Sequence, residues 1–569
     1  MGSIAKLDAG IRISIDRGGT FTDYVASIPG QDDILVKLLS VDPNNYPDAP
    51  VEAIRRVLEK ATGKCYPKGE KISLQGVSNS LKDLLHIGNQ SRPKLFDLAI
   101  NKPDVLYSKV VEVSERVTLK ACTESKTPTV INQSEDSSFV TGITGEVVRI
   151  SEPLEVESAR ASLQELYDDG YRLIAVYLMD SYTFQDHELA IGKLAADVEF
   201  TQISLSAELV PTIKIVPHGN SSTADAYLTP EIKRYIAGFE LELSCLSGLR
   251  AILSGPASGV VGYAKKFYDE IEKTPVIGFD MGGTSTDVSR YAGELEQIFE
   301  TTTAGVTVQS PQLDINMVAA GGGSILSWQS GMFKVGPESA LAHLGPACYQ
   351  KGGPLTVTDA SLVLGRLRPE FFLKIFGPNE DQPLDIDINR KLFRELTDVI
   401  NEEIEIKFTL EEVAAGFLDV ANEALCRPIR TLTEARGHDT GIHNLASFGG
   451  AGGQHACDIS KVLGISRVLI HKYSSVLSAY GIALADIVHE ERSPSAFLYT
   501  VENLPKFAVE LDKLQEKSVE ALLEQRVPKT RIISNRYLNM RFQGSDTPLM
   551  VQETSSTDCL SAFSDADQK

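Results

Sequence analysis

The chain has 569 residues, of which 42% are hydrophobic and 23% are charged, so its composition is that of a globular protein and excludes a disordered one. This length predicts roughly two to four domains. The chain has 55 Lys and Arg residues and 77 Asp and Glu residues, so its net charge is −22 at pH 7. No run of basic residues offsets this charge, which disfavours nucleic acid as a partner and favours small metabolites.

The first predicted elements surround a glycine turn. Residues 11–15 (I-R-I-S-I) alternate apolar and polar side chains and end at Asp16, as a strand that enters a turn does. After Gly18 and Gly19 the chain returns as a second predicted strand, residues 24–28. Pro50 then begins a predicted helix whose apolar residues follow the helical period.

Helices and buried strands continue to alternate after this unit. Residues 158–168 predict a helix that ends before Gly170, and the run L-I-A-V-Y-L-M at residues 173–179 predicts a buried strand. A second strand-and-turn unit begins at Pro275, where V-I-G-F precedes the glycine turn of residues 282–283. Together these patterns predict an α/β fold.

The two glycine turns belong to an internal repeat. The segment D-R-G-G-T-F-T-D at residues 16–23 returns as D-M-G-G-T-S-T-D at residues 280–287, with six of the eight positions identical. We interpret this long-period repeat as two related lobes that each present one hairpin to a shared cleft. A single G-G-T turn is most often only a tight turn, but two matching copies favour nucleotide binding.

We place the domain boundaries by the repeat and by composition. Residues 1–230 form the predicted first lobe with the first hairpin, and residues 231–495 form the second lobe with the second hairpin and a glycine loop, F-G-G-A-G-G-Q-H-A, at residues 448–456. Residues 496–569 form a partial α/β segment that is predicted to be helical at residues 504–523 and to end in a frayed polar tail.

The hairpins carry residue types suited to phosphate and Mg²⁺. Paired glycines let the backbone come close to a phosphate group, and Thr20 and Thr284 add hydroxyl and amide donors. Asp16 and Asp280, at the strand ends, are predicted to act in catalysis and to hold Mg²⁺ through water, because carboxylate oxygens suit this cation. The glycine loop is predicted to pack against adenosine, although such a loop alone is also typical of a strand-to-helix turn.

Other nucleotide motifs are missing from the sequence. It has neither the Walker A pattern G-x-x-x-x-G-K-[ST] nor a G-x-G-x-x-G after the first strand, which excludes P-loop and Rossmann folds. His218, His343 and His455 lack paired metal-ligand spacing and are interpreted as structural. The predicted cofactor-binding residues are Gly18, Gly19, Thr20, Thr22, Asp23, Gly282, Gly283, Thr284, Thr286, Asp287, Gly449, Gly450, Gly452 and Gly453.

The cysteines and the apolar runs indicate where the protein works. Seven cysteines are scattered singly with no C-x-x-C pair, which is typical of reduced thiols and not of a disulfide framework or a zinc site. The N-terminal residues lack the apolar core of a signal peptide, and the longest apolar run is far too short to span a bilayer. We therefore expect a cytoplasmic protein that does not bind membranes.

Several long segments make this chain similar to a known family. It resembles the hydantoinase A/5-oxoprolinase family, and most closely the N-terminal, A-type half of eukaryotic ATP-dependent 5-oxoprolinases, from about Ile11 to about Glu490. The segments that carry the resemblance are I-D-R-G-G-T-F-T-D, V-K-L-L-S-V-D-P-N-N-Y-P-D-A-P, D-L-L-H-I-G-N-Q-S-R-P, S-G-P-A-S-G-V-V-G-Y, G-F-D-M-G-G-T-S-T-D-V-S-R, H-L-G-P-A-C-Y-Q-K-G-G-P-L-T-V-T-D-A and F-G-G-A-G-G-Q-H-A-C-D-I-S-K.

The resemblance implies a fold and a reaction. The fold is the two-lobed actin-like ATPase architecture of sugar kinases, heat-shock chaperones and actin, with duplicated β-hairpin phosphate loops. The reaction is the opening of the lactam of 5-oxo-L-proline to L-glutamate, driven by ATP hydrolysis with Mg²⁺, and a hydantoinase B-type protein or a second copy of the chain is the expected protein partner. Three alternatives are a non-catalytic or partner-dependent nucleotide-binding remnant, a hydantoinase that acts on another cyclic amide, and a small-molecule kinase.

The sequence departs from the family pattern in three places. A segment like G-T-T-x-A-T-N-A-L-L-E-R is missing before Ser78, so part of an active-site wall is expected to be absent. The family's P-R-G-H segment stands here as P-H-G-N at residues 217–220. The resemblance does not extend to a B-type half, so we expect the chain to act as the A-type portion of a larger hydrolase.

Overall fold

The structure is a computed structural model that describes most of the chain. The predicted helix that begins at Pro50, the turn of residues 18–20, the gap before Ser78 and most of the tail lie outside the described residues. The described residues are 12–17, 21–27, 34–39, 106–121, 138–211, 215–237, 254–303, 306–379, 381–404, 407–525, 527–542, 549–553, 559–560 and 563–564.

The described fold is mixed α/β. The strands are β1 (Arg12–Arg17), β2 (Phe21–Ser27), β3 (Ile34–Leu39), β4 (Arg116–Ala121), β5 (Phe139–Thr141), β6 (Val147–Glu152), β7 (Leu173–Val176), β8 (Gln202–Leu205), β9 (Val276–Met281), β10 (Thr286–Tyr291), β11 (Gln297–Thr303), β12 (Val306–Leu313), β13 (Ile315–Val318), β14 (Ser324–Gln329), β15 (Met332–Ser339), β16 (Asn444–Phe448), β17 (Arg467–Leu469), β18 (Tyr537–Met540) and β19 (Leu549–Gln552). The helices are α1 (Val156–Asp168), α2 (Asp186–Asp197), α3 (Ser206–Leu209), α4 (Ile215–Ala237), α5 (Ser254–Phe267), α6 (Val357–Val363), α7 (Ile386–Glu403), α8 (Leu410–Leu432), α9 (Ala456–Leu463), α10 (Leu477–Leu484) and α11 (Leu504–Glu524).

A five-stranded sheet in the order β13-β10-β9-β16-β17 forms the centre of the second half of the chain. Its β9 and β10 make an antiparallel hairpin, whereas β16 runs parallel to β9 and β17 runs parallel to β16. The apolar residues of β9 are fully buried, with Ile277 and Phe279 packed in the same core as Phe417 and Leu418 of α8. Strands buried on both faces read as continuous apolar runs, which is why V-I-G-F forms this strand.

The first sheet, β1-β2-β3, is antiparallel and packs against segments that are distant in the sequence. Val25 of β2 shares a small core with Val476 and Ala479, at the start of α10. Leu39 of β3 lies in another core with Tyr349. Residues near the beginning of the chain are therefore held by buried apolar contacts against segments that follow much later in the sequence.

Helices α5 and α10 cross with their backbones in direct contact. A Cβ atom added to Gly481 would lie 1.9 Å from the carbonyl oxygen of Ser258, and one added to Gly262 would lie 3.0 Å from the carbonyl oxygen of Leu477. Real Cβ atoms do not approach a carbonyl oxygen to 1.9 Å, so only glycine fits at Gly481. This crossing fixes the position of the first turn of α10.

Most of the predicted elements are present, with shifted ends. The predicted helix 158–168 is Val156–Asp168, and the predicted helix 504–523 is Leu504–Glu524. The predicted strand 173–179 ends early, at Val176, because two residues later the amide of Leu178 donates to the Glu188 carboxylate at 2.7 Å and not to a neighbouring strand. The first strand and its return begin at Arg12 and Phe21, so the return strand starts three residues earlier than predicted.

In the described part of the chain, no helix combines the length and the apolar character that crossing a bilayer requires.

Replacing Gly481 by alanine is expected to destabilise the protein, because the added methyl group would force α5 and α10 apart. Overpacking of this kind costs about 1–3 kcal/mol or more, and we expect the melting temperature to fall by several degrees. The matched control is Gly453→Ala, since a Cβ there meets no atom within 4 Å. Differential scanning fluorimetry of both variants tests this, and equal melting temperatures would contradict direct contact between the helices.

Candidate functional site

Strand pairing aligns acidic residues across each sheet. In the first sheet Asp16 pairs with Asp23, and Asp23 pairs with Lys37 on β3. In the second hairpin Asp280 pairs with Asp287. Asp16 is described at the backbone only, so the other four residues carry the side-chain geometry of the candidate site.

The carboxylate of Asp280 lies partly buried near the end of β9. The hydroxyl of Ser478, in the first turn of α10, donates to its Oδ2 at 3.0 Å. Burial, followed by the neighbouring Asp287 carboxylate, raises the pKa of Asp280 to about 7, while the Ser478 hydrogen bond opposes the rise. Asp23 raises this pKa further and Lys37 lowers it, so the two hairpins share one electrostatic environment.

Lys37 connects the first sheet to the segment before α10. Its Nζ donates to Asp23 Oδ1 at 2.5 Å and to the carbonyl oxygen of Ser475 at 3.3 Å, and it lies 4.8 Å from the centre of the Phe21 ring. Burial raises the pKa of Asp23, and the Lys37 ammonium opposes that rise. Neither Lys37 nor Ser478 is among the site residues predicted from the sequence. The available signal for Lys37 was its charge inside the apolar strand I-L-V-K-L-L.

A glycine cluster supports the turn of the second hairpin. The amide of Gly322 donates to the carbonyl oxygen of Gly282 at 3.0 Å, and the amide of Gly323 donates to that of Gly283 at 2.6 Å. A Cβ at Gly321 would lie 2.8 Å from the carbonyl carbon and oxygen of Gly283. The three glycines therefore form a backbone clamp that fixes this turn.

The predicted glycine loop lies against the same carboxylate. Gly449 has a φ of +80°, and a Cβ there would lie 2.3 Å from Asp280 Oδ1. Its amide donates to the carbonyl oxygen of Ser474 at 2.9 Å, next to the Ser475 carbonyl that Lys37 contacts. A Cβ at Gly450 would lie 3.8 Å from the Lys37 ammonium, so the structure brings this loop, both hairpins and the start of α10 together.

The loop glycines Gly452 and Gly453 and the hairpin threonines have different surroundings. A Cβ at Gly452 would lie 2.9 Å from the Ser447 hydroxyl, whereas Gly453 borders open space. Thr22 and Thr286 are fully buried, and the Thr286 hydroxyl donates to the carbonyl oxygen of Ala320 at 2.6 Å. These two threonines therefore anchor the hairpins from within.

Two of the three histidines considered in the sequence, His218 and His455, are buried. His455 Nδ1 lies 2.7 Å from Asn422 Oδ1, and burial lowers the pKa of this histidine to about 4. His218, in the P-H-G-N segment at the start of α4, is also buried, which lowers its pKa to about 4, and His343 is exposed. Both buried imidazoles are neutral at pH 7.

The donor set fits a hydrated magnesium ion. Among the described residues, no group of three or more His, Cys, Asp or Glu side chains is arranged to hold a metal by itself. Mg²⁺ commonly keeps several waters and binds one or two carboxylates together with ligand phosphates. Asp280 and Asp287, with Asp23 nearby, supply partly buried carboxylates of this kind.

Comparison with known families gives two matches. The hydantoinase/oxoprolinase family model matches residues 244–491. The hydantoinase/oxoprolinase N-terminal region model matches residues 12–77 and 67–198. The first hairpin lies in one matched region and the second hairpin in the other.

Curated relatives and a solved structure agree with these matches. The chain is 48% identical to the 5-oxoprolinase of Saccharomyces cerevisiae over 95% of its own length and 46% of the relative, and 46% identical to 5-oxoprolinase 1 of Arabidopsis thaliana over 97% and 47%. It therefore spans about half the length of the curated relatives it matches. The crystal structure of the ATP-dependent caprolactamase from Pseudomonas jessenii has a similar fold, with a TM-score of 0.70 at 21% identity, over 98% of this chain and 83% of that one.

The buried carboxylate predicts a pH-dependent gain in stability for Asp280→Asn. Because the folded-state pKa of about 7 lies above the ordinary value of 3.8, the unmodified protein loses stability as pH rises between these values, by at most about 4 kcal/mol. Asparagine has no such ionisation and still accepts from Ser478. Without nucleotide or divalent cations, the melting temperature of the variant should exceed that of the unmodified protein increasingly from pH 5 to pH 8.

The control for this experiment is Asp398→Asn, which changes an exposed carboxylate on α7. Its melting curve should follow that of the unmodified protein at each pH. Parallel pH profiles for the Asp280 variant and the unmodified protein would show that Asp280 carries no raised pKa.

Proposed function

This chain belongs to the hydantoinase/oxoprolinase family, and on that premise we propose that it is the nucleotide-binding, A-type portion of an ATP-dependent cyclic amide hydrolase. The proposed reaction opens the lactam of 5-oxo-L-proline to L-glutamate while ATP is hydrolysed. The observation that carries the proposal is the convergence of Asp23, Asp280, Lys37 and the glycine loop at one place. The similarity of the chain to 5-oxoprolinases supplies the proposed substrate class.

The proposed architecture is the two-lobed actin-like ATPase type. Its support is the repeated hairpin and the central sheet, in which an antiparallel hairpin is followed by two parallel strands. In this proposal residues 1–230 and 231–495 are the lobes, residues 496–569 are a C-terminal segment, and the nucleotide binds between the lobes.

The hairpins are proposed to bind the phosphates of ATP. The turns of residues 18–20 and 282–284 supply backbone amides, and the loop of residues 449–453 borders the adenosine. Asp16 and Asp280 would hold Mg²⁺ through water, and bound Mg²⁺ supplies positive charge that offsets the charge of the phosphates.

The chemistry explains why ATP is needed. A five-membered lactam is a stable amide, and transfer of the terminal phosphoryl group to its carbonyl oxygen makes the carbonyl carbon electrophilic. Water then adds to that carbon and the ring C–N bond breaks, which leaves the γ-acyl phosphate of glutamate. A second water hydrolyses this acyl phosphate, and phosphate and L-glutamate are released. In such transfers the protein acts mainly by positioning the reactants and by stabilising charge.

A partner and a compartment complete the proposal. The relatives are about twice as long as this chain, so we place the complete reaction in an assembly with a B-type half or partner. The four cysteines of the described residues are free thiols, three of them buried, which favours the reducing cytoplasm.

Coupled turnover tests this function. The full chain, incubated with ATP, Mg²⁺ and 5-oxo-L-proline, with and without a B-type polypeptide, should form ADP and L-glutamate in equal amounts, measured by chromatography. Asp280→Asn should lower both rates at least tenfold, because the site loses its central carboxylate, while the exposed control Asp398→Asn should retain them. ADP formation that is independent of the lactam, or no turnover with the B-type polypeptide, would overturn the proposed reaction.

A further inference from the structure

We infer that Lys37 contacts the terminal phosphoryl group of the bound nucleotide, and that Asp23 holds its ammonium group at the site before the nucleotide arrives. This inference rests on the proposed nucleotide site and deepens it by assigning a residue that discriminates nucleoside triphosphate from diphosphate. It follows from the contacts of Lys37, from the charges around it and from a difference between the two copies of the hairpin.

The position of Lys37 is set from both sides of the site. The Asp23 carboxylate, opposite Lys37 in the first sheet, and the Ser475 carbonyl, from the segment before α10, both accept hydrogen bonds from Nζ. The side chains of Lys37 and Asp23 each retain 14% of their exposure, so the pair is reachable from solvent. The ammonium group therefore lies at the boundary between the hairpin and the glycine loop.

The ammonium group keeps a donor for a ligand. A lysine ammonium has three N–H donors, and the described acceptors engage two of them. The surrounding carboxylates of Asp23, Asp280 and Asp287 outnumber this one cation within the described part of the site. The negative field of these carboxylates therefore favours a ligand that carries its own cation, as a magnesium nucleotide does. Lys37 is placed to donate to an anionic oxygen of that ligand.

The second copy of the hairpin shows that the lysine is not needed to build the fold. Lys37 pairs with Asp23 on the strand next to the first hairpin, and the equivalent neighbour of Asp287 on β13 is Met317. Met317 is 46% exposed and carries no charge. Because the same hairpin forms beside methionine, the charge at Lys37 serves a task that only the first copy performs.

Phosphoryl transfer supplies that task. Negative charge spreads over the equatorial oxygens of the transferring group, and an ammonium group held beside those oxygens stabilises it. ADP lacks the terminal phosphoryl group, so a contact between Lys37 and that group strengthens the binding of ATP and not that of ADP. Asp23 is a positioning residue in this proposal, because it orients the ammonium group of Lys37 and does not itself contact the nucleotide.

Titration calorimetry on the full chain tests the assignment, with Mg²⁺ and either ADP or a non-hydrolysable ATP analogue. Lys37→Met should weaken binding of the ATP analogue about tenfold to 100-fold, the usual range for a hydrogen bond between charged groups. It should change the affinity for ADP less than about threefold. Lys37→Arg should keep part of the preference. The matched control Lys391→Met removes an exposed lysine from α7 and should leave both affinities unchanged.

A double variant separates a phosphate contact from a structural role. Lys37→Met leaves the Asp23 carboxylate without its cation, which could by itself distort the site. In the double variant Asp23→Asn/Lys37→Met this carboxylate is gone, and the preference for the triphosphate should still be missing. Restored preference in the double variant, or equal weakening of ADP and the analogue by Lys37→Met, would overturn the inference. Failure of the unmodified chain to bind either nucleotide would instead overturn the proposed site itself.

Discussion

The direct backbone contact between α5 and α10 is the constraint on which the site depends. Because no side chain separates the two helices at Gly481, the first turn of α10 has one position relative to the central sheet. That turn supplies the Ser478 hydroxyl to Asp280, and the residues before it supply the Ser475 carbonyl to Lys37 and an apolar contact to Val25. One helix end therefore holds both hairpins, and the contact that fixes it lies outside the site.

The electrostatics of the site oppose folding and favour ligand binding. Asp280 and Asp23 are carboxylates whose burial raises their pKa, and Lys37 offsets only part of their charge. Buried charge that is not fully paired costs stability, and proteins retain it chiefly at functional sites. In the proposed site, a ligand that brings a divalent cation would offset part of this cost.

The sequence predicted the local parts of the site better than their assembly. The repeat identified Asp280 and the glycine turns because glycine and aspartate leave a readable pattern around a hairpin. Lys37 was missed because its role comes from strand register, which pairs it with Asp23 across a neighbouring strand. Ser478 was missed for a similar reason, since a lone serine in an apolar helix has no pattern and its partner lies 198 residues away. The early end of β7 at Val176 likewise depended on a tertiary hydrogen bond to Glu188.

The pairing of Asp23 with Lys37 and of Asp287 with Met317 has a further consequence for a cleft built from two similar halves. In the proposed site, two hairpins of the same pattern would by themselves hold the phosphates of a nucleotide in either direction with similar energy. Among the described residues a lysine lies beside the first hairpin and a methionine beside the second, which would favour one direction of the triphosphate. This difference would then contribute to determining which end of the nucleotide faces the second substrate.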